Sequence, residues 1–116
     1  MTQPIGSKMH GVLDYATAGG LLAASRLPGL RGSFAGRTLL SAAVNHLSYS
    51  PLTNYELGVL RKLPYKAHLA LDAISAVGLV FVGLTQQNAR DRYVPIAAGV
   101  FELGAVLLSD PRGEGA

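Results

Sequence analysis

The chain has 116 residues, room for one domain. Hydrophobic residues make up 49% and charged residues only 15%, against roughly 25% charged in a soluble domain, and the mean hydropathy is +0.30. The formal charge is +3, but the Lys and Arg residues lie between apolar stretches and form no basic stripe, which argues against nucleic acid as a partner; the lack of cysteine excludes disulfides, thiolate catalysis and sulfur-ligated metals.

Four apolar segments follow in chain order. The first covers about 10–25 and ends at Arg26-Leu27-Pro28-Gly29. Lys8 ahead of it and Leu21 to Ser25 have the outline of a signal peptide, but Asp14 interrupts the apolar stretch, so the segment reads as mature structure. The second covers about 37–52 and is the most polar, with Asn45, His46, Ser48 and Pro51. Thr53-Asn54-Tyr55-Glu56 then has the form of a capping box and predicts a short surface helix to Lys62. The third covers about 64–84, with Pro64 where a missing N–H costs nothing. The fourth covers about 93–108 and stops at Asp110-Pro111.

The chain repeats itself. Lys8, His10, Leu13, Asp14, Ala18, Gly20 and Leu21 recur 58 residues later as Lys66, His68, Leu71, Asp72, Ala76, Gly78 and Leu79, with Thr17 matched by Ser75. Leu52-Thr53-Asn54 corresponds to Leu108-Ser109-Asp110 at an offset of 56. A duplicated helical hairpin accounts for this, with repeat 1 at about 8–54 and repeat 2 at about 64–111 inside a single membrane domain, 1–116. The expected fold is all-α, a four-helix transmembrane bundle of two parallel hairpins, although each segment is at or below the roughly 20 residues a bilayer crossing needs. Tyr49, Tyr55 and Tyr65 are expected at one interface and Tyr93 at the other. Lys and Arg divide five to five between the two sides, so charge sets no orientation. A soluble bundle is the alternative to a bilayer-embedded one.

His10, Asp14, His46, His68, Asp72 and Glu102 interrupt the apolar segments. At 1.5 Å per residue, Asp14 and Asp72 lie roughly 9 Å, and His46 and Glu102 roughly 10–12 Å, from the polar ends on the linker side. All four segments therefore place an ionisable group in one layer. His10, Asp14, Thr17 and Leu21 share a helix face, repeated by His68, Asp72, Ser75 and Leu79. In the fourth segment Pro95, Ala98 and Ala105 share a face with Glu102, and Ala16, Gly20 and Ala24 offer a small-residue contact surface on the first.

The layer has three readings. The groups satisfy one another and pin the helices; they form a proton relay or small-solute path; or they bind a transition metal or haem, with His10, His46, His68 and Glu102 as candidate ligands. No nucleophile elbow or phosphate loop accompanies them, so no enzyme class is indicated.

His10-x-x-Leu13-Asp14, Leu52-Thr53-Asn54-Tyr55-Glu56-Leu57-Gly58 and Leu63-Pro64 followed by His68 and Asp72 resemble the SPW-repeat family of small bacterial membrane proteins over about 8–111. The Ser-Pro-Trp motif that names the family is absent, with Ser25-Arg26-Leu27-Pro28 and Gly83-Leu84-Thr85-Gln86 in its place. The resemblance implies a duplicated two-helix membrane unit in the bacterial inner membrane and no established activity. The expectation is a non-enzymatic integral membrane protein, structural or stress-related, with the lipid bilayer and a second copy or membrane protein as partners. The alternatives are a proton-coupled or small-solute carrier and a metal- or haem-binding bundle; no cofactor is required, and a metal is possible only through the polar layer.

Overall fold

The computed structural model describes residues 4–112, which form four helices and no strand: α1 (Ser7–Ser25), α2 (Phe34–Tyr49), α3 (Tyr65–Thr85) and α4 (Ala89–Leu108). The boundaries follow local chemistry. The Ser33 hydroxyl oxygen accepts from the Gly36 N–H to start α2, and the Asn88 side chain accepts from the Asp91 N–H to start α4. These caps start both helices three or four residues before the segments expected from hydropathy. Pro64 immediately precedes α3. Pro95 is buried inside α4, where its missing N–H leaves the Asp91 carbonyl without a ladder donor.

Residues 51–64 form no helix, contrary to the capping-box expectation. The Thr53 hydroxyl donates to the Tyr49 carbonyl and its acceptor side faces His68 Nδ1, so it caps no new turn. Arg61 adopts a left-handed φ of 51°, and the backbone N–H groups of Val59, Leu60, Lys62 and Leu63 return to the carbonyls of Pro51 and Leu52. The linker is a folded loop over one end of the bundle. Tyr55 inserts from it, Leu57 packs on Gly11, and the Tyr15 hydroxyl donates to the Leu57 carbonyl.

Each helix packs chiefly on its hairpin partner, α1 on α2 and α3 on α4. Gly99 lets α4 approach the Ala76 carbonyl of α3, a space a Cβ would occupy. The two hairpins run in the same sense. Ile5 bridges Ser109 and Leu63 bridges Thr53, both as parallel β-bridges. Ile5 and Leu63 are 58 residues apart, and Thr53 and Ser109 are 56 apart, so the junctions are equivalent under the repeat. The two ends of the described chain thus meet each other as the two ends of the linker do.

The interior is divided along the bundle axis. At the end holding the α1–α2 loop, Leu21, Leu30, Ala35, Leu39, Ala42, Ala43 and Leu79 form an apolar core. Leu30 seals it from the loop, where Gly29 and Gly32 take positive φ values of 83° and 80°. At the linker end the interior is polar. Many large apolar side chains face outward: Val12, Val44, Leu47, Ile74, Val77, Phe81, Leu84, Val100, Phe101 and Leu107 are all exposed, alongside Ser41, Asn45 and Ser48 on α2. By length and composition α3 alone among the described helices qualifies to cross a membrane.

Candidate functional site

The six ionisable residues singled out from the sequence are all buried, each at 4% exposure or less, and all meet in one cluster. The helical spacing places His10 over Asp14 and His68 over Asp72, with Nε2-to-carboxylate distances of 3.2 and 3.1 Å. The shorter contacts cross between hairpins. His10 Nε2 lies 2.7 Å from Asp72 Oδ2, and His68 Nε2 lies 2.7 Å from Asp14 Oδ2. Each imidazole therefore faces the carboxylates of both repeats. Beside this quartet, His46 Nε2 meets Glu102 Oε1 at 2.5 Å. His46 and Glu102 are 56 residues apart, so one repeat position carries a base in the first hairpin and an acid in the second.

A hydroxyl orients each quartet histidine from behind. His10 Nδ1 is 2.6 Å from Ser109 Oγ, and His68 Nδ1 is 2.6 Å from Thr53 Oγ1. These hydroxyls spend their own protons on backbone carbonyls, Ser109 on Ala105 at 2.5 Å and Thr53 on Tyr49 at 2.7 Å. The carboxylates have equivalent support from tyrosines: Tyr49 donates to Asp72 Oδ1 at 2.5 Å, and Tyr55 donates to Asp14 Oδ2 at 2.8 Å.

Tyr49 and Tyr55 are therefore not interfacial belt residues, as their positions at segment ends suggested; buried carboxylates claim their hydroxyls. Tyr93 is exposed, and Tyr65 is half-buried with its ring 5.8 Å from that of His10. Sequence reasoning missed four supporting residues: Thr53, Ser109, Tyr49 and Tyr55. The first two carried a signal, since they match across the repeat. The tyrosines carried none, because they occupy non-equivalent positions.

The linker closes the polar end. The Ser7 hydroxyl donates to Glu56 Oε1 at 2.6 Å. That bond, with the nearby Arg61 and Lys8 charges, holds the Glu56 carboxyl below the usual range. Burial pushes the Tyr55 phenol up, which keeps it a hydrogen-bond donor to Asp14. Asp110, bonded by the Arg112 guanidinium and backbone N–H, is likewise held low.

Two grooves flank the cluster and are themselves related by the repeat. One, about 270 Å³, is lined by Ala16, Thr17, Gly20, Ala24, Ala98 and Phe101. Ala16 and Gly20 are thus exposed in a groove between α1 and α4, against the sequence expectation of a contact surface, whereas Ala24 packs against the apolar core. The other, about 410 Å³, lies between α2 and α3 and contains Thr38, Ser41, Asn45, Tyr49 and Ser75. Thr38, Ser41, Asn45 and Tyr49 form one stripe of α2, and the equivalent α4 residues are Val94, Ala97, Phe101 and Ala105.

Two sets of potential metal ligands arise. The donor atoms of His10, Asp14, His68 and Asp72 lie within 4.8 Å of one another, as do those of His46, Asp72 and Glu102. All four metal candidates named from the sequence fall in these sets, divided between them, and the two aspartates join. No protein-family model matches this chain, and no curated protein or solved structure matches it.

Proposed function

We propose that this is a non-enzymatic integral membrane bundle, a divergent relative of the SPW-repeat proteins, in which the His/Asp/Glu layer pins two parallel hairpins together. The observation that carries the reading is the inverted polarity: six ionisable side chains fill one end of the interior, while large apolar side chains cover the outside. Water rewards the opposite arrangement, and an exposed apolar surface of this extent marks contact with another apolar phase. In lipid, an unpaired charge at depth costs at least ~2.5 kcal/mol, and the close contacts among the six groups reduce that cost. At 1.5 Å per residue, α3 is roughly 31 Å long and α2 roughly 24 Å. By length alone, three helices of 19–21 residues suit a hydrocarbon core of about 30 Å, and α2 is accommodated by local thinning. The membrane role is structural or stress-related, alone or with a second copy or a membrane partner.

Fractionation tests it: the untagged protein is expected to stay in the membrane pellet through a carbonate wash and to require detergent for release. Recovery of folded protein from cytosol without detergent would overturn the reading. Within the pellet, Asp72→Asn is expected to lower stability by about 3–5 kcal/mol, the cost of orphaning buried charge partners.

A second reading, a small-solute carrier, draws support from the polar groove between α2 and α3. Its Thr38–Tyr49 stripe leads to the hydroxyl bonded to Asp72, whereas the equivalent groove is apolar. Proteoliposome swelling with urea and glycerol checks it: Asn45→Leu is expected to abolish permeation while leaving the fold intact, and permeation no faster than in empty liposomes would remove the reading.

A further inference from the structure

We infer that His10, Asp14, His68 and Asp72 form a binding site for one divalent first-row metal ion, held by two Nε2 atoms and two carboxylate oxygens. The inference rests on counting protons. Ser109 Oγ is 2.5 Å from the Ala105 carbonyl oxygen and Thr53 Oγ1 is 2.7 Å from that of Tyr49. Two oxygens approach this closely only with a proton between them, and a carbonyl has none to give. Each hydroxyl proton is therefore spent, and each hydroxyl can only accept from the histidine behind it. His10 and His68 both carry their proton on Nδ1.

Their Nε2 atoms face carboxylate oxygens 2.7 to 3.2 Å away, His10 Nε2 in hydrogen-bond geometry with Asp72 Oδ2. Lone pairs facing at that range repel unless a cation lies between them. His68 Nε2 sharpens the point, being fully buried and without a hydrogen-bond partner of acceptable geometry among the described residues. With neutral imidazoles the quartet carries two negative charges, which one divalent ion or two protons neutralise. Several features suit the ion.

Imidazoles fixed through Nδ1 and aimed through Nε2, with carboxylates held by Tyr49 and Tyr55, form the outer shell that orients metal ligands. A set of two nitrogens and two oxygens suits zinc and its neighbours. In tetrahedral coordination the donors stand about 3.3 Å apart, which the four nitrogen–oxygen contacts reach by opening at most about 0.6 Å. The His10 and His68 rings, 5.4 Å apart and nearly perpendicular, leave no slot for a macrocycle. Loading would displace whatever protons fill the quartet in the ion's absence, at most two per ion.

The site is independent of the membrane reading, since it depends only on the interior. The test uses the full untagged chain in detergent, stripped with a chelator and titrated with Co²⁺. One equivalent is expected to produce the visible bands of a four-coordinate Co²⁺ site, displaced by Zn²⁺. Thr53→Val and Ser109→Ala, which free the imidazoles to turn, are expected to weaken Co²⁺ binding about 10–100-fold, and His68→Gln to abolish it, with Ser48→Ala as an unaffected control. Should His68→Gln fail to fold, the wild-type titration and the two hydroxyl variants still decide. A folded wild-type protein that gives no Co²⁺ bands would overturn the proposal, as would binding unchanged in both hydroxyl variants.

Discussion

Tyr49 and Tyr55 support equivalent carboxylates from non-equivalent places in the chain, one from the end of α2 and one from the linker. Their function is chemical and local: Tyr49 supplies a donor to the Asp72 oxygen that the quartet imidazoles leave free, and Tyr55 adds a donor to the Asp14 oxygen that faces His68. Tyr49→Phe and Tyr55→Phe each remove one hydrogen bond to a charged acceptor while preserving packing. Each is expected to lower stability by about 1.5–3 kcal/mol, read from denaturant unfolding in detergent. The Tyr49 change is expected to be the larger, because the Tyr49 hydroxyl also lies 3.3 Å from His46 Nδ1 and ties the quartet to the His46–Glu102 pair. Equal losses would show that the two halves of the cluster are energetically separate.

At the scale of elements, the linker and the α1–α2 loop make opposite demands on their residues. The linker is tethered by Glu56, whose carboxyl is held low by the Ser7 hydroxyl. A carboxyl depressed in the folded state contributes stability above its unfolded value and loses it as pH falls through the folded value. The tether is therefore expected to loosen as the pH falls below the ordinary glutamate range. Amide exchange across residues 54–60 checks this, with the extra acid-side opening absent in Glu56→Gln. The α1–α2 loop depends on close approach: a Cβ at Gly36 would meet the Leu30 carbonyl, whereas one at Gly20 meets nothing. Gly36→Ala is expected to cost about 1–3 kcal/mol through overpacking and Gly20→Ala almost nothing, compared by unfolding midpoints.

At the scale of the whole molecule, the two hairpins are related as the halves of a symmetric dimer, yet one pair forbids that dimer. Two copies of the first hairpin would set His46 against His46, and two of the second Glu102 against Glu102. Only the fused pair brings base to acid, at 2.5 Å. Fragments 1–58 and 59–116, produced together, are expected to associate one to one. Either alone is expected to fail to dimerise, as judged by native mass spectrometry from detergent; a stable homodimer of 59–116 would show that the His46–Glu102 contact does not select the pairing.

Much of this architecture was legible in the chain. The repeat at 58 residues gave two hairpins, hydropathy gave four helices, and helical spacing stacked His10 on Asp14 and His68 on Asp72. Those inferences hold because each depends on periodicity along one segment. The linker misled, since Thr53-Asn54-Tyr55-Glu56 satisfies a local capping rule but a tertiary partner, the imidazole of His68, takes the Thr53 hydroxyl. What the sequence determined by itself was therefore the inventory and its layer: which residues are ionisable, how deep they lie and which face they share. Only the tertiary structure decided which imidazole meets which carboxylate, and that the closest partners belong to opposite hairpins. Spacing along a helix constrains neighbours on that helix, whereas crossing pairs depend on how two helices dock.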